Sequence, residues 1–162
     1  MLFRSDAVPL LCEKYPNTHF VLAGFPVDQI EEYLARPVIR EHVTVISPSP
    51  YFDLPQILKM SDIGVDPKEE ATREASGKTL QYMGAGLPVA CFDTVNNREY
   101  LGEGGSYADE TTGQGLARAI IALTDVVLRE RMGNINRQRA TVFSWEKSAE
   151  KVEKIYHDIL TR

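Results

Sequence analysis

The chain carries only two cysteines, three histidines and one tryptophan in 162 residues. Cys12 and Cys91 stand apart from each other and from His19, His42 and His157, so the spacing spells neither a disulfide framework nor a zinc site. No metal site is expected, and the three histidines read as structural or surface residues. A basic block is missing too: 18 Lys and Arg face 23 Asp and Glu, a formal net charge of −5. That balance argues against nucleic acid as the main partner. No apolar run reaches the length of a membrane span, and the N-terminus has no apolar signal-peptide core. The glycine fingerprint G-x-G-x-x-G after a strand is absent, which excludes a dinucleotide cofactor of the usual kind. Gly77-Lys78-Thr79 ends like a Walker A loop, but the upstream glycine spacing is wrong.

What is present is an ordinary globular balance, 43% hydrophobic and 25% charged. The length suits one domain, 1–162, with a substantial core. Short apolar runs alternate with amphipathic stretches, the pattern of βαβ units around a parallel sheet. Strands are expected at residues 19–23, 43–46, 63–65 and 89–92, with a weak edge strand after Gly105. Helices are expected at 5–15, 28–35, 54–60, 76–84, 116–124, 125–143 and 145–160, with a helical turn at 97–101. Pro9 is tolerable near a first turn, and Gly86 and Pro88 stop the fourth helix. Met1 to Phe3 lead straight into a helix, with no strand before it. The expectation is that a strand precedes this chain and that its loss leaves an open sheet edge.

In open parallel sheets, ligands bind beyond the carboxyl ends of the strands. Three loops qualify: Gly24-Phe25-Pro26, residues 47–51, and residues 66–76. The last delivers Ser76-Gly77-Lys78-Thr79 into a helix start, where free N–H groups and the positive dipole end attract anions. Gly77 would admit a phosphate to the backbone and Lys78 would add charge. Equally, Ser76 serves as a plain N-cap and Lys78 as a solvated side chain. Gln81, one turn on, either bonds a ribose hydroxyl or faces water. Glu70 and Glu74 either meet a sugar hydroxyl or belong to a solvated charged loop. Residues 96–99 offer a turn with an N-cap Asn and a surface ion pair, or a ligand contact. Met83, Ala85 and Leu87 read as helix–sheet packing.

Three segments, taken in order, carry a family resemblance. They are Ser61-Asp62-Ile63-Gly64-Val65-Asp66-Pro67, then residues 75–89 (Ala-Ser-Gly-Lys-Thr-Leu-Gln-Tyr-Met-Gly-Ala-Gly-Leu-Pro-Val), then residues 93–101 (Asp-Thr-Val-Asn-Asn-Arg-Glu-Tyr-Leu). This set resembles the donor-binding segment of GT4-like glycosyltransferases (glycosyl transferases group 1). Tyr15-Pro16 to Gly24 looks like that family's first-helix-to-strand passage, and Phe143-Ser144-Trp145-Glu146 like its F-S-W-E opening of the last helices.

The resemblance implies the C-terminal, Rossmann-like half of a GT-B fold: a nucleotide-sugar donor site, metal-free and without cofactor, transferring sugar with retention. A UDP- or GDP-linked donor is expected before an ADP-linked one. By that resemblance the diphosphate lies on the N–H groups of Ser76, Gly77, Lys78 and Thr79, the ribose at Gln81, and the nucleobase at the loops of Gly24 and Ser49. Glu70 and Glu74 are the donor-sugar candidates. The partner is an N-terminal acceptor domain that this chain does not carry, and the acceptor is a glycan, a lipid-linked sugar or a small molecule. The isolated chain is expected to be inactive, and its setting cytoplasmic, or peripheral to a membrane in a longer protein.

The chain departs from the family's E-x7-E pattern. Its second glutamate would fall at Gln81, and eight residues back stands Arg73, with Glu74 one place off. A neutral amide is a weaker acceptor than a carboxylate. The other reading kept open is a non-catalytic binding or assembly module derived from such a transferase.

Overall fold

The computed structural model describes residues 6–69 and 76–161. The chain opens on helix α1 (Ala7–Lys14), followed by β1 (Phe20–Ala23), α2 (Ile30–Leu34), α3 (Pro37–His42) and β2 (Val43–Ile46). After α4 (Leu54–Lys59) come β3 (Gly64–Asp66), α5 (Gly77–Ala85), β4 (Val89–Phe92), α6 (Val95–Leu101) and β5 (Gly105–Ala108). Helices α7 (Gly113–Ala122), α8 (Val126–Ala140) and α9 (Trp145–Leu160) complete it. Every strand pairing is parallel and helices flank the strands, a Rossmann-like α/β architecture.

The strands do not form one sheet. β1 pairs with β2, and β3, β4 and β5 form a separate sheet in that order. β4 is central in the second sheet, and its four residues are all buried. Its side chains alternate between two cores, as a period of two requires. Ala90 and Phe92 face the cluster built on α1 and α7, where Val8, Leu11, Leu116 and Leu123 also sit. Val89 and Cys91 face Met83 of α5 and Leu101 of α6. Phe20 and Val43 of the first sheet join the larger cluster, so α1 and α7 tie the two sheets together.

Local chemistry explains most element ends. Pro9 sits in the first turn of α1, where its missing N–H costs nothing. Gly86 ends α5 in the left-handed region, at φ 74°. There the Gly86 N–H donates to the Met83 carbonyl at 2.9 Å and the Leu87 N–H to that of Tyr82 at 3.0 Å. The close approach of α8 rests on Gly133, whose missing side chain leaves room for the Gly86 carbonyl. Asn136 lies one turn further and is fully buried. Its amide donates to the carbonyls of Leu87 (2.8 Å) and Gly104 (2.9 Å), clamping α8 onto two loops.

Some elements differ from the sequence expectation. The stretch expected as one helix at 28–35 is a 3-10 turn, Val27–Gln29, running into α2. Helix α3 is additional: Pro37 starts it and Ile39 is its one buried residue, too little to print a periodic pattern. Helix α7 begins at Gly113, three residues before the expected start, because Thr112 caps it by accepting the Gly115 N–H at 3.1 Å.

Candidate functional site

Asp66 ends β3 and has no solvent exposure. Its carboxylate accepts a 2.7 Å hydrogen bond from the Thr79 hydroxyl and lies 3.2 Å from the Lys78 ammonium. The Lys68 N–H also donates to it, at 3.3 Å, turning the chain as it leaves the strand. Burial pushes the Asp66 carboxyl up, but the Lys78 charge and the Thr79 hydrogen bond outweigh it and hold the group below the usual carboxylate range. β3 is thereby fastened to the first turn of α5.

The sequence left Lys78 either a phosphate contact or a solvated side chain; in the structure it lies in the first turn of α5, paired with Asp66. Asp66 is the last residue of β3 and precedes a proline; a carboxylate there has to be either solvated or paired. The pairing residue thirteen positions on was invisible without the fold.

Ser76 occupies the capping position, yet its hydroxyl makes no capping hydrogen bond. It is 5% exposed. Ser76 thus does not cap α5, and the negative group fixed beside the first turn is the Asp66 carboxylate, bonded to the Thr79 hydroxyl. No described residue crowds the Cβ position of Gly77. Thr79 is different: its N–H donates to the Ser76 carbonyl at 3.1 Å and its hydroxyl to Asp66, so both groups are engaged within the protein.

One cavity, about 880 Å³, runs along this region. Gly24, Lys78 and Gln81 all line it, together with β1 and residues 63–65. Ser49, Ser76, Gly77 and Thr79 are not on its lining. Gly24 follows β1 at φ 76°, a left-handed turn suited to glycine, and its N–H donates to the Ile46 carbonyl at 3.0 Å. The Ser47 hydroxyl donates to the Phe25 carbonyl and draws the loop carrying Ser49 against the one carrying Gly24. Tyr51 and Phe52, next to that loop, pack edge to face and are 72% and 88% exposed. Glu70, Arg73 and Glu74 lie outside the described residues.

The other candidate groups resolve into structural roles. The cap of α6 is Thr94 rather than an asparagine: its hydroxyl oxygen accepts the Asn97 N–H at 3.1 Å. Asn97 is buried and its side-chain amide donates to the Phe92 carbonyl at 3.0 Å. Arg98 forms a two-pronged pair with Asp93, both contacts 2.7 Å, and its guanidinium lies 3.7 Å from the Tyr107 ring centre. His19 bonds Thr44 across β1 and β2, and His42 bonds the Thr18 carbonyl. Burial pushes the Cys91 thiol up, and burial with the charge of Asp66 pushes the Tyr82 phenol up to about 12. Both groups are protonated near neutrality.

Among the described residues no group of His, Cys, Asp and Glu is arranged to hold a metal ion. No described helix is long and apolar enough to cross a membrane. The family model described as Glycosyl transferases group 1 matches residues 1–125. No curated protein matches the chain.

Proposed function

The chain belongs to the glycosyl transferases group 1 family, and on that premise we propose that it is the donor-binding half of a retaining sugar transferase. The ligand is a nucleoside diphosphate sugar, UDP- or GDP-linked in preference to ADP-linked. The observation that carries this reading is Lys78, in the first turn of α5 and on the lining of a cavity shared with Gly24 and Gln81. An uncapped helix start presents N–H donors and a positive dipole end to a diphosphate. Gln81 offers an amide to a ribose hydroxyl. The loops after β1 and β2 are tied together by Ser47 and offer a platform for the base, with Tyr51 and Phe52 beside it.

The chemistry asked of this half is electrostatic. As the glycosidic bond to the diphosphate breaks, negative charge grows on the leaving phosphate oxygens. Fixed N–H groups and the Lys78 ammonium stabilise that charge where it develops. Asp66 sets the position of Lys78 and leaves it about half exposed, so the ammonium stays within reach of an anion. Acceptor contacts and their acid–base groups belong to the facing domain of a complete GT-B enzyme. This half alone binds donor weakly and turns over nothing.

Two-dimensional NMR titration of the chain with UDP, GDP and ADP tests the reading. The expected result is a set of shifts confined to the amides of Gly24, Ser49, Gly77, Lys78 and Gln81, strongest with one of the three nucleotides. A folded sample that shows no shift with any of them at millimolar concentration rejects donor binding. A non-catalytic binding module then becomes the better reading.

A further inference from the structure

The amino end of α5 already has a negative group beside it. A helix start favours negative charge through its dipole and its free N–H groups. Asp66 supplies that charge from the end of β3, with no solvent exposure of its own. Its Oδ2 accepts the Thr79 hydroxyl at 2.7 Å. Its Oδ1 accepts the Lys68 N–H at 3.3 Å and lies 3.2 Å from the Lys78 Nζ. The two charged partners differ in exposure: the carboxylate is fully buried, while the Lys78 side chain is 45% exposed. Lys78 lines the cavity with Gly24 and Gln81, and Asp66 does not. An anion in the cavity therefore meets Asp66 through the lysine that the two would share.

We propose that Asp66 is an affinity-determining residue, an internal counter-charge with which a donor diphosphate has to share Lys78. This deepens the donor-binding reading and rests on it, because it concerns how tightly that site holds an anion. The carboxylate has two opposed effects. It fixes the Lys78 side chain, which spares an incoming anion part of the cost of ordering it. It also sets a like charge close to the anion.

Magnitudes decide between the two. A phosphate oxygen that takes a charge-assisted bond of about 2.8 Å from the far side of Lys78 stands about 6 Å from Asp66. At an effective dielectric of about 20, one unit charge at that distance changes an anion's affinity about a hundredfold. Lost placement of one lysine side chain costs about tenfold at most. Charge outweighs placement, so neutralising Asp66 tightens anion binding by about tenfold, where a purely positioning carboxylate would weaken it on removal. The sign of the change separates the two roles.

The test uses the full 162-residue chain, isotope-labelled, with inorganic pyrophosphate as the probe at low ionic strength, where screening is least. Binding is followed by NMR through the amides of Gly77, Lys78 and Gln81. Asp66→Asn removes the charge and keeps an oxygen acceptor for Thr79 and Lys78. Asp66→Ser is a second neutral variant, which keeps the test open if the first fails to fold. Asp158→Asn removes an exposed carboxylate of α9 and controls for net charge. Both Asp66 variants are expected to lower the pyrophosphate Kd about tenfold, and Asp158→Asn to leave it within about twofold. An unchanged or raised Kd in a folded Asp66 variant overturns the proposal and leaves donor binding standing, with Asp66 a positioning residue only. Equal tightening by Asp158→Asn overturns it too, since the effect then belongs to the charge of the whole chain. No binding by the parent or by either neutral variant overturns both readings, because the anion site itself is then absent.

Discussion

At the scale of single residues, Asp66 governs the region that matters most. A carboxylate with no solvent exposure is tolerable only because Lys78 and Thr79 meet it. Its pKa in the folded chain lies below the ordinary value of 3.8. The unfolded state therefore takes up a proton first as pH falls. The stability it contributes is complete above about pH 5 and is lost as pH drops through the folded-state pKa. Asp66→Asn keeps the shape but turns an amide toward an ammonium. Urea unfolding at pH 7 should show a loss of about 1.5–3 kcal/mol, the usual worth of hydrogen bonds to a charged group. The difference between variant and parent should shrink steadily below pH 4. A difference that stays constant down to pH 2.5 would mean that the carboxylate is not held by its partners.

At the scale of elements, the helices fall into two kinds. α1, α5, α6, α7 and α8 each bury side chains, and α6, α7 and α8 are capped by Thr94, Thr112 and Asp125. α9 buries none of its residues. It is started by Ser144, whose hydroxyl oxygen accepts the Lys147 N–H at 3.2 Å, and its last anchor to the body is Phe143, packed edge to face on Tyr100. Cutting the chain after Ser144 retains that anchor. Calorimetry of the shortened chain should find a Tm within about 2 °C of the parent, since no buried contact is removed. A fall of more than about 5 °C would show that α9 packs onto the body in solution.

At the scale of the whole molecule, the division into two sheets sets an uneven distribution of stability. β4 is covered on both faces and paired on both edges. β1 and β2 pair only with each other, and residues such as Val21 and Thr44 face solvent. Regions with fewer buried contacts open at lower cost. Native-state hydrogen exchange should therefore find the ladder amides of β1 and β2, Leu22 and Val45 among them, faster by about tenfold or more than Ala90 and Cys91. Equal protection across all five strands would indicate that α1 and α7 couple the sheets into one cooperative unit.

Much of the architecture was legible in the chain itself, for local physical reasons. Apolar runs of four residues between polar helices mark parallel strands, and all five strands lie where the pattern puts them, within a residue or two. Gly86 followed by Pro88 had to end α5, because only glycine takes the left-handed turn without cost. The ordered motifs of residues 61–101 pointed to the family that the match over residues 1–125 shows. Tertiary structure alone decided the rest. The pairing of Asp66 with Lys78 and Thr79, and the clamp that Asn136 makes on Leu87 and Gly104, join residues whose separation in sequence carries no signal. The grouping of the described strands into a pair and a triple is likewise a fact of topology. A sequence pattern states which residues favour a strand, but which edges are paired depends on what lies beside them in space.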